Sequence, residues 1–135
     1  MPRFTRASDL EKHLKKALDQ LQAETLITAQ AELGSSKVSP VDTGRLRSSW
    51  FAAEGTPSSE VAPEGADSPN TDAADLRVDA SKQYHLTNNL PYAQRVALEG
   101  HVVAKPKTWF EDFVNSRVPK IQAAAAKVVK SKFEL

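Results

Sequence analysis

The sequence predicts a single domain, residues 1–135, with an α+β fold. Two long stretches, one near each end of the chain, carry apolar residues at helical spacing. Between them, two short segments alternate in side-chain character as β-strands do. The predicted architecture is a long N-terminal helix, a small antiparallel β-sheet, a short helix and a C-terminal helix.

The first predicted element is a helix from about Ser8 to Leu33. Ser8-Asp-Leu-Glu11 has the form of a capping box, and Gly34 predicts a left-handed cap at the other end. The apolar residues at helical spacing are Leu10, Leu14, Ala17, Leu18 and Leu21. The charged residues of the opposite face are Lys12, Lys15, Lys16 and Asp19. The helix is therefore amphipathic and needs a partner surface, either the domain's own sheet or another subunit.

A sharp turn is predicted after this helix. Asp42 and Thr43 offer short side-chain oxygens to free backbone N–H groups, and Gly44 tolerates turn geometries that other residues resist. These three residues either form the turn or contact another subunit directly. Arg45 and Arg47 follow, as interface residues or as solvated charges.

The two predicted strands run from Arg47 to Glu54 and from Lys82 to Asn88. In the first, the alternation places Trp50 and Ala52 on one face of the sheet, with Phe51 and Ala53 on the other. The large aromatic residues predicted to lie in the core are Trp50, Tyr84 and Trp109.

An acidic loop is predicted between the strands, at about residues 56–79. It is rich in Pro, Ser, Gly, Ala and acidic residues, a composition typical of a flexible loop or disordered arm, which could order only on assembly. Seven acids lie between residues 51 and 80, against the single base Arg77. Residues 101–135 hold seven bases against three acids. Neighbouring copies could attract one another through these surfaces, or both could be solvated faces.

Two helices are predicted in the C-terminal part. Asn89 and Pro91 favour the start of a short helix that runs to about Glu99. Thr108-Trp-Phe-Glu111 has the form of a second capping box, which opens the last helix. Pro119 lies inside this helix, so we expect either a kink or a division into segments 108–117 and 119–132.

The composition argues against several functional classes. The chain has no cysteine, and His13, His85 and His101 have no neighbours at metal-ligand spacing, so no cofactor or metal is predicted. No Gly-rich phosphate loop or nucleophile elbow occurs, so we do not expect an enzyme. No apolar run approaches the roughly 20 residues that span a bilayer. The N-terminus also lacks a secretory signal, so we expect a cytosolic protein when it is made.

The last helix carries a basic face. Lys120, Lys127 and Lys130 share one side of it and could meet phosphates, an acidic partner or solvent. The nearby aromatic residues are not interleaved with these bases as a nucleic-acid site requires. A small nucleic-acid-binding protein is therefore the remoter alternative.

Two separated segments resemble one protein family. They are Pro40-Val-Asp-Thr-Gly-Arg-Leu-Arg-Ser-Ser-Trp50 and Tyr84-His-Leu-Thr-Asn-Asn-Leu-Pro-Tyr-Ala-Gln-Arg95, the latter followed by Glu99-Gly100. In this order, after a long helix, they resemble the neck or tail-completion proteins of long-tailed bacteriophages, the group that includes minor tail protein Z of lambda-like phages. The resemblance covers roughly Ser8 to Gly100 and a C-terminal helix.

The resemblance implies a structural virion protein that forms a ring at the head-to-tail junction and is assembled in the cytoplasm of the bacterial host. Its implied partners are copies of itself, the head connector and the tail terminator or tail tube proteins. No membrane or specific nucleic acid is implied, although packaged DNA would pass through the ring. A tail terminator that caps the tail tube is the alternative within this class. The interface candidates are Arg45, Arg47, Arg95, Lys120, Lys127 and Lys130.

Overall fold

The computed structural model describes residues 3–4, 6–35, 44–91, 93 and 108–135. A long helix, α1 (Ala7–Leu33), packs against a sheet of two antiparallel strands and against the C-terminal helical segment. The strands are β1 (Trp50–Glu54) and β2 (Tyr84–Asn88). The predicted α+β class, with its long N-terminal helix and small antiparallel sheet, is confirmed.

The capping box predicted for α1 is wrong, whereas Gly34 is its C-cap as predicted but without the predicted left-handed conformation. The helix begins one residue early, with Arg6 as the N-cap and no capping side chain, so Ser8 lies within the helix. Gly34 has a φ of −77°, which is right-handed. Glycine is favoured there by close packing, because a Cβ would lie 2.8 Å from the Cβ of Pro69.

The first predicted strand starts too early. Residues Arg45–Ser48 form a helical turn, α2, which follows Gly44 with its left-handed φ of 82°. Ser48 closes this turn because its backbone N–H and its hydroxyl both donate to the Gly44 carbonyl, at 3.2 and 2.7 Å. The local bonding of Ser48 therefore overrides the strand pattern until Trp50.

The alternation within β1 agrees with the prediction. Trp50 and Ala52 are buried, while Phe51 and Ala53 are partly exposed. Strand β2 begins at Tyr84, two residues later than predicted, and its Leu86 pairs with Ala52.

The acidic loop, residues 56–79, contains one short 3₁₀ helix (Asp72–Asp75) and no strand or α-helix. It packs on the domain, since Ala62 and Ala73 are 5% and 1% exposed. Ala73 lies in a small core cluster with Leu26 and Ala52. The flexibility expected from the composition of this loop remains a prediction.

The C-terminal helical segment consists of α3 (Trp109–Asp112), a π-helical turn (Phe113–Arg117) and α4 (Val118–Lys132). The type of helix changes at Val118, next to the predicted division, but the segment stays helical through Pro119, and a kink there remains a prediction. Pro119 comes just after the π-helical turn. This wider turn is compatible with proline, which has no backbone N–H to donate to the preceding turn. Thr108 is the N-cap as predicted, but its hydroxyl donates to Asp112 at 3.0 Å and the second capping box does not form.

The main core lies between α1, β1 and the C-terminal helical segment. Trp50 and Trp109 are buried there as predicted, and Trp50 stacks on Phe110 with 6.1 Å between ring centroids. Tyr84 is only half-buried. Of the short helix predicted from Asn89 to about Glu99, Asn89 and Leu90 are irregular, Pro91 lies in a turn and Ala93 is helical, while residues 92 and 94–100 lie outside the described residues.

Candidate functional site

The two segments that carry the family resemblance meet in the fold. Trp50 pairs with Asn88 across the sheet, and Asn88 Nδ2 donates to the carbonyl of Leu46 at 2.7 Å. Asn89 Nδ2 donates to the carbonyls of Ser58 and Glu60, at 2.6 and 3.1 Å. The second segment thus holds both the first segment and the start of the acidic loop.

Arg45 and Arg47 also hold the acidic loop. Arg45 Nε donates to the Ala62 carbonyl at 2.8 Å. Arg47 Nη2 donates to the Asp67 carboxylate at 2.7 Å and to the Asp67 carbonyl at 2.8 Å. The Arg47 side chain is 19% exposed, so most of it lies within the domain. An additional interface role for the two arginines remains a prediction.

Only glycine fits at position 44, beside the contact between Arg47 and Asp67. Its φ of 82° is one that L-residues avoid, and an added Cβ would collide with the Asp67 carboxylate. This backbone geometry is compatible with the predicted turn, and the turn-forming role of Gly44 remains a prediction. Asp42, Thr43 and Arg95 lie outside the described residues.

A buried polar group at Gln30 joins α1 to the sheet and the loop. Gln30 is 2% exposed; its Nε2 donates to the Trp50 carbonyl at 3.1 Å and to the Asp72 carboxylate at 2.5 Å. Its Oε1 accepts from Ala73 N–H at 2.9 Å, and Asp72 also accepts from Ala52 N–H at 3.0 Å. Gln30 was not among the residues predicted from the sequence, where its one signal is a polar side chain beside the apolar residues of a helix.

The N-terminal half of α1 exposes part of the apolar stripe that the sequence predicted. Leu10, Leu14 and Leu18 are 41%, 41% and 54% exposed, whereas Ala17 is buried. Leu14 and Leu18 line a shallow cavity of about 440 Å³ between α1 and the turn at Ala80. We call these three side chains the leucine face. Neither the sheet nor the C-terminal helical segment covers it.

A network of charges fixes one edge of the leucine face. Lys15 Nζ donates to Asp19 at 3.0 Å and to Asp79 at 3.2 Å, while Asp19 accepts from Ala80 N–H at 2.8 Å. Asp79 accepts from the hydroxyl and the N–H of Ser81, and these bonds, followed by that of Lys15, lower its pKa to about 2. The bond of Lys15 to Asp19, followed by its bond to Asp79, raises the pKa of Lys15. The turn beside the leucine face is therefore held in place at neutral pH.

The basic face of α4 is exposed. Lys120, Lys127 and Lys130 are all exposed, and no ion pair is recorded for them within the described part of the chain. On the acidic side, Asp67 and Asp79 are paired internally, with Arg47 and Lys15. The exposed acids of the loop for which the described residues provide no ion pair are Glu60, Glu64 and Asp75. The charge available for a partner is therefore smaller than composition suggested.

The described histidines have structural contacts. His13 Nε2 lies 2.7 Å from the Phe133 carbonyl, and its ring packs between Phe4 and Phe133. His85 Nε2 lies 3.1 Å from the Gly55 carbonyl. Among the described residues, no group of His, Cys, Asp or Glu could hold a metal ion.

No helix within the described ranges combines the length and the apolar character that crossing a bilayer requires. Comparison of the chain with protein-family models, with curated proteins and with solved structures found no match. Its candidate function therefore rests on the residues, their order along the chain and their geometry.

Proposed function

We propose that this chain is a structural virion protein that forms a ring at the head-to-tail junction of a long-tailed bacteriophage. It acts by binding, without catalysis or a cofactor. Its partners are copies of itself, the head connector on one side and the tail terminator or tail tube on the other. The order of the two sequence segments after a long helix supports this class of protein.

The leucine face is the observation that carries a binding function. Three large aliphatic side chains follow one another along a single helix, each exposed by about two-fifths or more. Contiguous apolar surface bordered by charged residues marks protein interaction sites on soluble domains. A second protein surface laid on Leu14 and Leu18 would remove them from water, with a gain of about 25 cal/mol for each Å² buried.

The exposed charges support contacts between copies. Lys120, Lys127 and Lys130 lie on α4, whereas Glu60, Glu64 and Asp75 lie on the acidic loop. Two different surfaces that attract each other form a heterologous contact, and such contacts close into rings when the rotation between copies permits it. We infer that the lysines of one copy face the acidic loop of its neighbour.

Deletion of the gene from the phage genome, followed by electron microscopy of the lysate, tests this proposal. The expected result is filled heads and complete tails that remain separate. Normal virions would overturn the proposal. Tails of uncontrolled length would instead assign the protein to the tail terminators.

A further inference from the structure

Strand β2 pairs with β1 on one side, and among the described residues no strand pairs with its outer edge, called the open edge below. In an antiparallel pair, alternate residues direct their backbone groups toward the partner strand and away from it. Gly55 N–H donates to the Gln83 carbonyl at 2.8 Å, which fixes the alternation. Tyr84 and Leu86 therefore direct their backbone N–H and C=O groups away from β1. Within the described residues, no hydrogen bond is recorded for these groups.

The outer edge of β1 is closed by side chains. The Trp50 carbonyl accepts from Gln30, and Ala52 N–H donates to Asp72. The two edges of this small sheet thus differ, because α1 and the acidic loop cap the edge of β1, whereas the described ranges provide no cap for the edge of β2. Natural proteins usually cover or blunt such an edge, since it is a template for another strand.

An apolar cavity of about 270 Å³ lies on the side of the open edge. Its walls come from α1, the sheet and the C-terminal helical segment. From the sheet, Tyr84 and Leu86 of β2 contribute, but only Trp50 of β1. The residues of the C-terminal segment that line it are Phe110, Phe113, Val114 and Val118. A strand beside β2 would direct alternate side chains toward this space.

We propose that the open edge of β2 accepts an extended segment of another protein chain, with an apolar side chain at every second position. The segment would add a third strand, pair with the backbone of Tyr84 and Leu86, and place its apolar side chains in the cavity. Backbone groups repeated at every second residue match a strand, whereas a helix has no free groups in that pattern. The cavity is below the roughly 300–1,000 Å³ of pockets for drug-sized ligands, which also favours side chains as its contents.

The proposal is independent of the phage assignment and is tested with purified full-length protein and a synthetic probe. The probe is the capped peptide Lys-Val-Thr-Leu-Thr-Val-Lys, which places its apolar residues on one face of a strand. Two further peptides carry N-methyl groups, either on the apolar residues or on the two threonines. Because alternate amides face β2, we expect one methylated peptide to lose binding and the other to keep it. Amide hydrogen exchange and NMR titration report the result.

We expect the amides of Tyr84 and Leu86 to exchange rapidly in the free protein and to become protected by the probe. Val114→Trp, which fills part of the cavity, should weaken binding, whereas Val128→Trp on the exposed side of α4 should not. The proposal is overturned by slow exchange at both amides in the free protein or by saturable dimerisation through β2. It is equally overturned by absence of probe binding or by equal binding of the two methylated peptides.

Discussion

Arg47 and Asp67 form a two-point contact between the turn after α1 and the acidic loop. One guanidinium nitrogen of Arg47 donates to the Asp67 carboxylate at 2.7 Å and to its backbone carbonyl at 2.8 Å. A backbone bond and a side-chain bond together fix the loop more tightly than an exposed ion pair alone. The arginine thus contributes first to the shape of the domain.

Gly44→Ala should destabilise the protein more than Gly55→Ala. Both glycines have a positive φ, 82° and 77°, so each alanine meets a backbone cost of about 1–2 kcal/mol. Only at Gly44 does the new Cβ also collide with Asp67, and such overpacking costs about 1–3 kcal/mol more. Urea unfolding measures the difference. Equal losses in the two variants would mean that Asp67 does not approach Gly44.

Gln30→Leu should lower the free energy of unfolding by about 2–4 kcal/mol. The substitution leaves the Trp50 carbonyl and Ala73 N–H without the bonds that Gln30 makes in the buried interior. Gln20→Leu on the same helix is the matched control. Its amide bonds to Glu24 near the surface, so a change within about 0.5 kcal/mol is expected. A Gln30→Leu protein as stable as the control would contradict the buried network.

The Asp79 carboxyl should titrate with a pKa of about 2, below its ordinary value of 3.8. A depressed folded-state pKa stabilises the protein above the unfolded value, and the contribution is lost as pH falls from about 4 toward 2. Ser81 provides the largest effect, so Ser81→Ala should raise this pKa more than Lys15→Met does. Carbon-detected NMR titration measures both. A midpoint near 3.8 in the unaltered protein would argue against the network beside the leucine face.

Reversal of the charge at Lys120, Lys127 and Lys130 to Glu should leave folding unchanged and impair assembly. All three side chains are exposed, whereas the proposed ring contact depends on their charge. Reversal of Lys12 and Lys16 on α1 is the control and should assemble normally. Assembly is measured as the yield of joined virions when each variant complements the deletion. Because the contact depends on charge, joining should weaken as the salt concentration rises.

An exchange of charge between the two surfaces tests whether they meet in the ring. A chain that also carries Glu60→Lys, Glu64→Lys and Asp75→Lys has both surfaces reversed, so neighbouring copies attract again and joining should recover. Persistent failure of this six-fold variant, with normal folding, would show that the two surfaces do not meet.

The sequence predicted the elements that depend on long periodic patterns. Helix α1 ends at Leu33 as expected, and the alternation at Trp50 and Ala52 set the buried face of β1. These features could be predicted because a repeat of 3.6 or 2 residues is contained in the segment itself. The boundaries were less accurate, since the bonds of Ser48 to Gly44 decided the start of β1.

Features that depend on tertiary contacts could not be predicted. The leucines of α1 fit a buried stripe, yet the sheet reaches only its C-terminal half, which leaves Leu10, Leu14 and Leu18 exposed. Arg47 was an interface candidate because nothing local indicated that Asp67, 20 residues later, would bind it. Periodicity identifies an apolar face but not the surface that covers it.

Complementation of the gene deletion with Leu14→Asp/Leu18→Asp tests the central claim most directly. Ile27→Asp is the control, because Ile27 lies on the same helix, is 37% exposed and is outside the leucine face. The folded double variant should yield filled heads and complete tails that do not join, while the control yields infectious virions. Normal virions from the double variant would contradict a neck protein that binds through the leucine face of α1.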